Sequence, residues 1–401
     1  MKKIIYFDNW DKGYRNFLRL DQGFKSKDYE TLLIHTASLT NPEVKKEYLI
    51  NGLKLRDISF YKTIRIKKVI KKEGPSAIIM LNLSFILDRV IVQICKDLDI
   101  NVYYLAHGKL VSIDSVKEVK ENLDQKGLIS KINKKNIFST FNYILGLKNP
   151  LQLFVFIKKL LTNPTEFIVL PKYSEELNVN KCFVYYQSDF DLMTKEFGFP
   201  RDKIDVVGNP ELDVFYNSEI KSKKVFCINE LGVDDIDYVA YLDDGLSSIH
   251  NWDDNKWLDF LKDINNILLR NDLKLIIKTH PRRDIKSHLD FFESNNITVI
   301  KDLDFKNFLH HSKFVISHFS SVIIYALLLN KKVKSPRWGV SNGLVEQYPN
   351  SVVDYYDNSK VFEDSIFNCE VDTFAIKHYI ESTIGKVDGK SVERIVNGII
   401  K

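Results

Sequence analysis

The sequence predicts an α/β protein built from two Rossmann-like halves, and three observations carry that expectation. Short apolar runs alternate with stretches of helical spacing along most of the chain, the pattern of βαβ units and a mostly parallel sheet. An Asn209-Pro210 turn, followed by the lysine-rich stretch Glu219 to Lys224, separates two such series. In the second series three apolar runs end in polar turns, at Asp243-Asp244-Gly245, at Lys278-Thr279-His280-Pro281 and at Ser317-His318-Phe319-Ser320-Ser321. Loops at the carboxyl ends of parallel strands line the ligand crevice of an open sheet, so three turns in one βα register can converge on one ligand.

Taken in order, Lys3 to Phe7 reads as a buried strand, with Asp8 to Gly13 as the polar loop at its end. Phe17, Leu18 and Leu20 give Tyr14 to Phe24 helical spacing, and Thr31 to His35 reads as a second strand. A helical stretch around Ile58 to Lys72 stops at Pro75, and Ala77 to Leu81 is the next strand. Phe85 to Leu98 is helical, and Val102 to Leu105 is a strand that ends at His107-Gly108. The right-handed crossover rule makes this a Rossmann-like half. Cys182 to Tyr186 is a strand, Asp189 to Phe197 a helix, and Lys203 to Val207 leads into Gly208-Asn209-Pro210. The division is therefore expected as residues 1–216 and 217–401. The second half repeats the alternation, with strands near residues 225, 238, 275, 298, 314 and 333 and a clear amphipathic helix over Trp257 to Leu269. Val371 to Ile384 and Ser391 to Ile400 are terminal helices, a tail able to pack back across the first half.

Composition narrows the function classes. A chain of 401 residues, 44% hydrophobic and 28% charged, has the make-up of a globular protein. A formal charge of +5 over that length gives no argument for nucleic acid. The start has basic residues but no apolar core long enough for a signal peptide. No apolar run approaches the roughly 20 residues of a spanning helix. Four scattered cysteines, Cys95, Cys182, Cys227 and Cys369, form no metal-type pair and fit buried thiols of a reducing cytoplasm. One stretch differs in character. Gln125 to Thr165 holds seven lysines, no Asp or Glu, and many bulky apolar residues. It reads either as a basic amphipathic element on the cytoplasmic face of the inner membrane, or as a helical hairpin packed on its own domain or on a partner subunit. The second option leaves a homodimer open.

The polar turns suggest chemistry. A carboxylate of Asp243 or Asp244 at a strand end can accept a proton from an attacking hydroxyl, although Asp-Gly is also a common turn. His280, between Lys278 and Pro281, can steady a phosphate or protonate a leaving group. The amino end of the helix after Ser321 offers free amides to an anion, with hydroxyls from Ser317, Ser320 and Ser321 and with His318 beside them. A plain serine N-cap explains one of those serines and leaves the rest unaccounted for. In the first half His107-Gly108 sits at a strand end, and Asp8 and Gly13 are candidates to contact an acceptor. No GxGxxG, Walker loop, HExxH or nucleophile elbow occurs, and no metal ligand set or cofactor motif is seen.

Together these residues resemble bacterial glycosyltransferases of the GT-B type, whose two Rossmann-like domains face a central cleft. Leu242-Asp243-Asp244-Gly245, His280-Pro281 and Ser320-Ser321 are similar to the D/E-D/E-G, HP and serine motifs of bacterial sialyltransferases and polysialyltransferases, and of capsule enzymes that use CMP-Kdo. The similarity spans mainly residues 180–340. It implies an inverting, metal-independent transfer of a sialic-acid-type or Kdo-type sugar from a CMP donor to an oligosaccharide or glycolipid acceptor in surface polysaccharide synthesis. Asp244, or else Asp243, would be the base, His280 the acid or phosphate-stabilising group, and Ser320 and Ser321 the donor-phosphate ligands. His107-Gly108, Gly208-Asn209-Pro210, His280-Pro281 and Ser320-Ser321 also resemble CDP-glycerol glycerophosphotransferases, which implies His107 as base and Asn209 near the substrate. This chain departs from that family at His318-Phe319, where an Asp-Tyr pair is usual. UDP-sugar 2-epimerases are a third relative, with a glycine-rich anion loop where this chain has Phe319-Ser320-Ser321. A GT-B scaffold that binds a nucleotide or glycan without turnover is the non-catalytic alternative.

Overall fold

The computed structural model describes residues 2–83, 85–110, 134–147, 150–162, 173–233, 235–245, 253–280, 286–318, 320–338 and 348–400. They form two compact units, Met1–Asp213 with Ser382–Lys401, and Val214–Glu381.

The first unit is built on β1 (Lys2–Asp8), β2 (Tyr29–His35), β3 (Glu47–Ile50), β4 (Leu53–Asp57), β5 (Ala77–Met80), β6 (Asn101–Leu105), β7 (Lys181–Val184) and β8 (Ile204–Val206). They lie in the order β3-β4-β2-β1-β5-β6-β7-β8. Every described ladder is parallel except β3 with β4. Ile4 to Phe7 and Ala77 to Met80 are buried at every position, as expected for central strands covered by helices on both faces. The β3–β4 hairpin was not among the expected elements. Its turn, Asn51-Gly52, has φ of 48° and 84°, the left-handed pair that a two-residue hairpin turn requires and that Asn-Gly supplies at least cost.

The expected division at 216/217 needs one correction, because the last helix belongs to the first unit. Ser391–Ile400 buries Ile395, Val396 and Ile399. Asp213 holds its amino end: one carboxylate oxygen accepts from Ser391 Oγ at 2.8 Å, the other from the Val392 amide at 3.1 Å. Arg394 Nε donates to the Val207 carbonyl at 2.7 Å. A Cβ on Gly23 would stand 2.9 Å from Val396 Cγ2, so the helix lies close against Tyr14–Lys25.

The second unit is an all-parallel sheet among its described ladders. Its strands are β9 (Tyr238–Leu242), β10 (Lys274–Lys278), β11 (Thr298–Ile300), β12 (Val315–Ile316), β13 (Val333–Pro336) and β14 (Asp354–Tyr356), in the order β11-β10-β9-β12-β13-β14. The strand alternation turns Val239, Tyr241, Leu275, Ile277, Phe314 and Ile316 to one face. There they meet Trp257, Phe260, Leu261, Ile264 and Leu268 of the helix Asp254–Leu269. That helix starts where Asp253 accepts from the Asn255 amide at 2.8 Å, an N-cap that precedes the first apolar position. The strand expected near residue 225 is instead the short helix Lys223–Phe226, running into a wider turn over Cys227–Leu231. Ser222 caps it through the Val225 amide. A brief apolar run does not by itself distinguish strand from helix.

Asp213→Ala removes both acceptors from the amino end of Ser391–Ile400. The expected cost is about 1–2 kcal/mol of first-unit stability, read by urea denaturation, with faster proteolytic clipping after Ser382.

Candidate functional site

Strands β10, β9 and β12 are neighbours in the second sheet, so their carboxyl ends stand side by side. The two aspartates after β9 tie those ends together. Asp243 accepts from the Gly245 amide at 2.9 Å and from the His280 amide at 3.1 Å. Its own amide donates to the Lys278 carbonyl at 3.0 Å. Asp244 turns to the other neighbour and accepts from Ser317 Oγ at 2.9 Å and from the His318 amide at 2.5 Å. Gly245 sits at φ 75°, a left-handed backbone that a β-carbon would strain. The structure thus brings Asp243, Asp244, Gly245, Lys278, His280, Ser317 and His318 together on one edge. Both carboxylates are only 5–6% exposed, because they face the loops they brace.

The next turn supplies the open groups. Ser320 is half-buried; its hydroxyl accepts from the Val322 amide at 3.4 Å, and its carbonyl accepts from Tyr348 Oη at 3.1 Å. Ser321 is exposed at the start of the turn into the helix Ile323–Leu328. His280 is half-buried, and Lys278 beside it donates to the Thr279 carbonyl at 3.1 Å. Burial lowers the Lys278 ammonium from its ordinary range, against the pull of Asp302 and Asp243. Pro281 lies outside the described residues.

Two expected substrate contacts are corrected here. His318 is fully buried: Nε2 is 3.1 Å from Tyr241 Oη, and its ring packs 5.5 Å from that of Phe260. Ser317 is equally inaccessible and spends its hydroxyl on Asp244. Both belong to the scaffold beneath the edge. Burial pushes the His318 imidazole down to about 4, with the Pro336 carbonyl and Asp243 pulling weakly upward.

In the first unit a separate polar centre lies at the ends of β1 and β6. Asp8 closes β1, and one of its oxygens accepts from the Asn9 amide at 2.7 Å. A Cβ on Gly13 would fall 1.9 Å from Asp8 Oδ2, so the loop closes over that carboxylate only because residue 13 has no side chain. Burial raises the Asp8 carboxyl, while the Asn9 amide and the charge of His107 lower it. His107 is exposed, with Nδ1 3.1 Å from the Leu81 carbonyl. Asn209 has a different task from the expected one. It is buried, donates to Tyr186 Oη at 2.8 Å and accepts from the Glu211 amide at 2.9 Å, which caps the helix Pro210–Asn217.

Sequence reasoning missed Asp88 and Tyr348. Asp88 is 1% exposed and accepts from the Phe85 amide at 3.0 Å. Burial pushes its carboxyl up to about 8, helped by the charge of Asp8 and opposed by the Phe85 amide and Lys135. The only sequence signal for it is a carboxylate at the third position of an otherwise apolar helix start. No described group of three or more His, Cys, Asp or Glu is placed to hold a metal ion.

No protein-family model and no curated protein sequence matches the chain. Solved structures do. The UDP-GlcNAc 2-epimerase from Methanocaldococcus jannaschii aligns over 100% of this chain and 99% of its own, at 16% identity and a TM-score of 0.51. The wall teichoic acid polymerase TagF, in a structure soaked with CDPG, aligns over 100% of this chain and 88% of its own, at 12% identity and 0.53. This chain has the GT-B fold. A glycosyltransferase from Rickettsia africae ESF-5 has it too, at 13% identity, 100% and 99% coverage and a TM-score of 0.50.

Two pH responses follow. The unfolded chain protonates His318 near 6.5 and the folded chain only near 4, so stability present above pH 6.5 is lost as the pH falls toward 4. The loss expected from this residue is about 1–3 kcal/mol, and His318→Gln, measured by urea denaturation at each pH, lacks it. Asp88 has the opposite sign: the folded carboxyl holds its proton to about 8 and the unfolded one releases it near 3.8. Stability present at low pH is therefore lost as pH rises toward 8. Asp88→Asn, which keeps an acceptor for the Phe85 amide, is expected to gain about 1 kcal/mol or more over the wild type between pH 5 and pH 8.

Proposed function

We propose that the chain is an inverting, metal-independent glycosyltransferase that moves a sialic-acid-type or Kdo-type sugar from a CMP donor to a saccharide acceptor. The observation that carries this reading is the tie between three strand ends made by Asp243 and Asp244. It fixes the turn that carries Lys278 and His280, and the Ser317-His318 pair that leads toward Ser320 and Ser321, on one edge of a parallel sheet. Preorganised donors aimed at developing charge are commonly the largest catalytic contribution. Support for a pyrimidine nucleotide comes from the neighbours' names, which carry UDP-GlcNAc and CDPG.

The reaction is a single displacement. The acceptor oxygen attacks the anomeric carbon from the face opposite the phosphate, the bond from that carbon to the phosphate oxygen breaks, and CMP departs with the electron pair. The acceptor proton passes to Asp244. His280 and Ser321 stabilise the charge on the leaving phosphate, and Lys278 adds positive potential behind them. Asp243 holds the His280 turn in position.

A second reading rests on His107. Its Nδ1 sits against the Leu81 carbonyl, which favours the tautomer with a basic, outward-facing Nε2. That geometry suits a base for a CDP-glycerol-type glycerophosphotransfer.

Two substitutions separate the readings. In Asp244→Asn the amide can still accept from the His318 N–H and donate to Ser317 Oγ, so the brace survives while the basicity is lost. Asp243→Asn cannot satisfy two backbone N–H donors and is expected to loosen the loop instead. With purified protein, CMP-sialic acid or CMP-Kdo and an acceptor, Asp244→Asn is expected to lower CMP release at least about 100-fold, at unchanged CMP affinity and melting temperature. Wild-type turnover in Asp244→Asn, together with loss of CDP-glycerol-driven transfer in His107→Gln, would transfer the base role to His107. Nucleotide binding without release from any donor would leave a non-catalytic scaffold, and conversion of a UDP-sugar without acceptor would make it an epimerase.

A further inference from the structure

The helices Lys134–Gly146 and Pro150–Thr162 of the first unit leave an unusual surface. The first packs inward through Phe138, Ser139 and Asn142; Asn142 accepts from the Ile66 amide at 2.9 Å and donates to the Ile64 carbonyl at 2.8 Å. The second is anchored through Phe156, stacked on Tyr143 at 4.3 Å between ring centres. Around these anchors Ile137, Ile144, Leu145, Leu151, Phe154, Val155, Ile157 and Leu161 are each 40–70% exposed. A helix apolar on nearly every side is ordinarily buried or in contact with lipid. Eight large side chains exposed along two neighbouring helices exceed the scattered exposure normal for a monomer.

Charge says what covers the patch. Lys134 and Lys158 are exposed on the two helices, and neither helix carries a carboxylate. Beside the helix pair opens a cavity of about 1110 Å³, walled by Leu145, Leu151 and Val155 and rimmed by Arg65, Lys68 and Lys71. These three cations form no ion pair among the described residues, whereas Lys67 and Lys96 at the same rim are matched by Asp97 at 3.0 Å and Glu175 at 3.5 Å. An apolar ridge flanked by unmatched positive charge complements an anionic bilayer surface, which accepts apolar side chains below its headgroups and attracts lysines at them. A protein partner burying this ridge would need acidic complements of its own; a phospholipid carries both parts in one molecule. No helix among the described residues is long and apolar enough to cross a membrane, so the contact lies in the interface plane.

We propose that this face of the first unit docks on an anionic phospholipid surface, with Leu151, Phe154 and Leu161 below the headgroups and lipid phosphates at Arg65, Lys68 and Lys71. This inference does not depend on the donor or the reaction. The test is flotation of the full chain with vesicles of phosphatidylcholine alone and of phosphatidylcholine with phosphatidylglycerol, at low and high salt. Binding is expected on the anionic vesicles, weakened by salt and largely absent on the neutral ones. Leu151→Glu with Phe154→Glu is expected to abolish it at unchanged melting temperature, because both side chains are exposed. Lys68→Glu with Lys71→Glu is expected to weaken it by about fivefold or more per lysine. Failure to float with anionic vesicles, or flotation that survives the Leu151 and Phe154 pair, overturns the proposal. So does a concentration-dependent dimer, seen by sedimentation and dissolved by that pair without vesicle binding, which would assign the face to a second copy.

Discussion

The second unit depends on the bonds that its adjacent aspartates make in opposite directions. Asp243 reaches toward β10 and Asp244 toward β12, so neighbouring residues of one loop fix the loops on either side. Each carboxylate is buried, and a buried charge is tolerated only where hydrogen bonds replace its water. Here backbone amides and a serine hydroxyl do that. The energy of the brace is also the source of its rigidity: shifting either loop would strand a carboxylate without its donors.

That arrangement explains why the sequence located the edge but misjudged several of its members. Apolar runs such as Lys274 to Lys278 and Val315-Ile316 are short and end in abrupt polarity, so the strand ends and their loops were legible. Beyond a strand end the alternation of faces no longer applies, and nothing in Ser317-His318 says which side the chains turn to. His318 turned inward because Tyr241 offers its hydroxyl and Phe260 its ring. Those partners lie 77 and 58 residues away in the chain, His318 less Tyr241 and His318 less Phe260, beyond any local pattern. Asn209 likewise looked like a ligand residue, yet a helix begins at the next position and needs a cap.

Other differences have local causes. The Asn51-Gly52 pair is a strong hairpin signal that stands in the sequence, although the expected architecture passed from β2 to a helix. The segment at Val225 to Ile228 had the composition of a strand, and Ser222 decided for a helix. In the first unit the buried Asp88 gives no sign of itself, since its neighbours Leu87 and Val90 are those of an ordinary core helix. Its perturbation comes from depth and from Asp8, and both are properties of the folded sheet.

The clasp of Asp213 on Ser391 and Val392 has a bearing on how the molecule is made. All of Val214–Glu381 lies between the two halves of that contact. During synthesis the second unit therefore emerges entire while the first still lacks the segment that covers Tyr14–Lys25. Until Ser391–Ile400 has been made, one body can be finished while the other keeps an uncovered greasy flank, a natural target for chaperones.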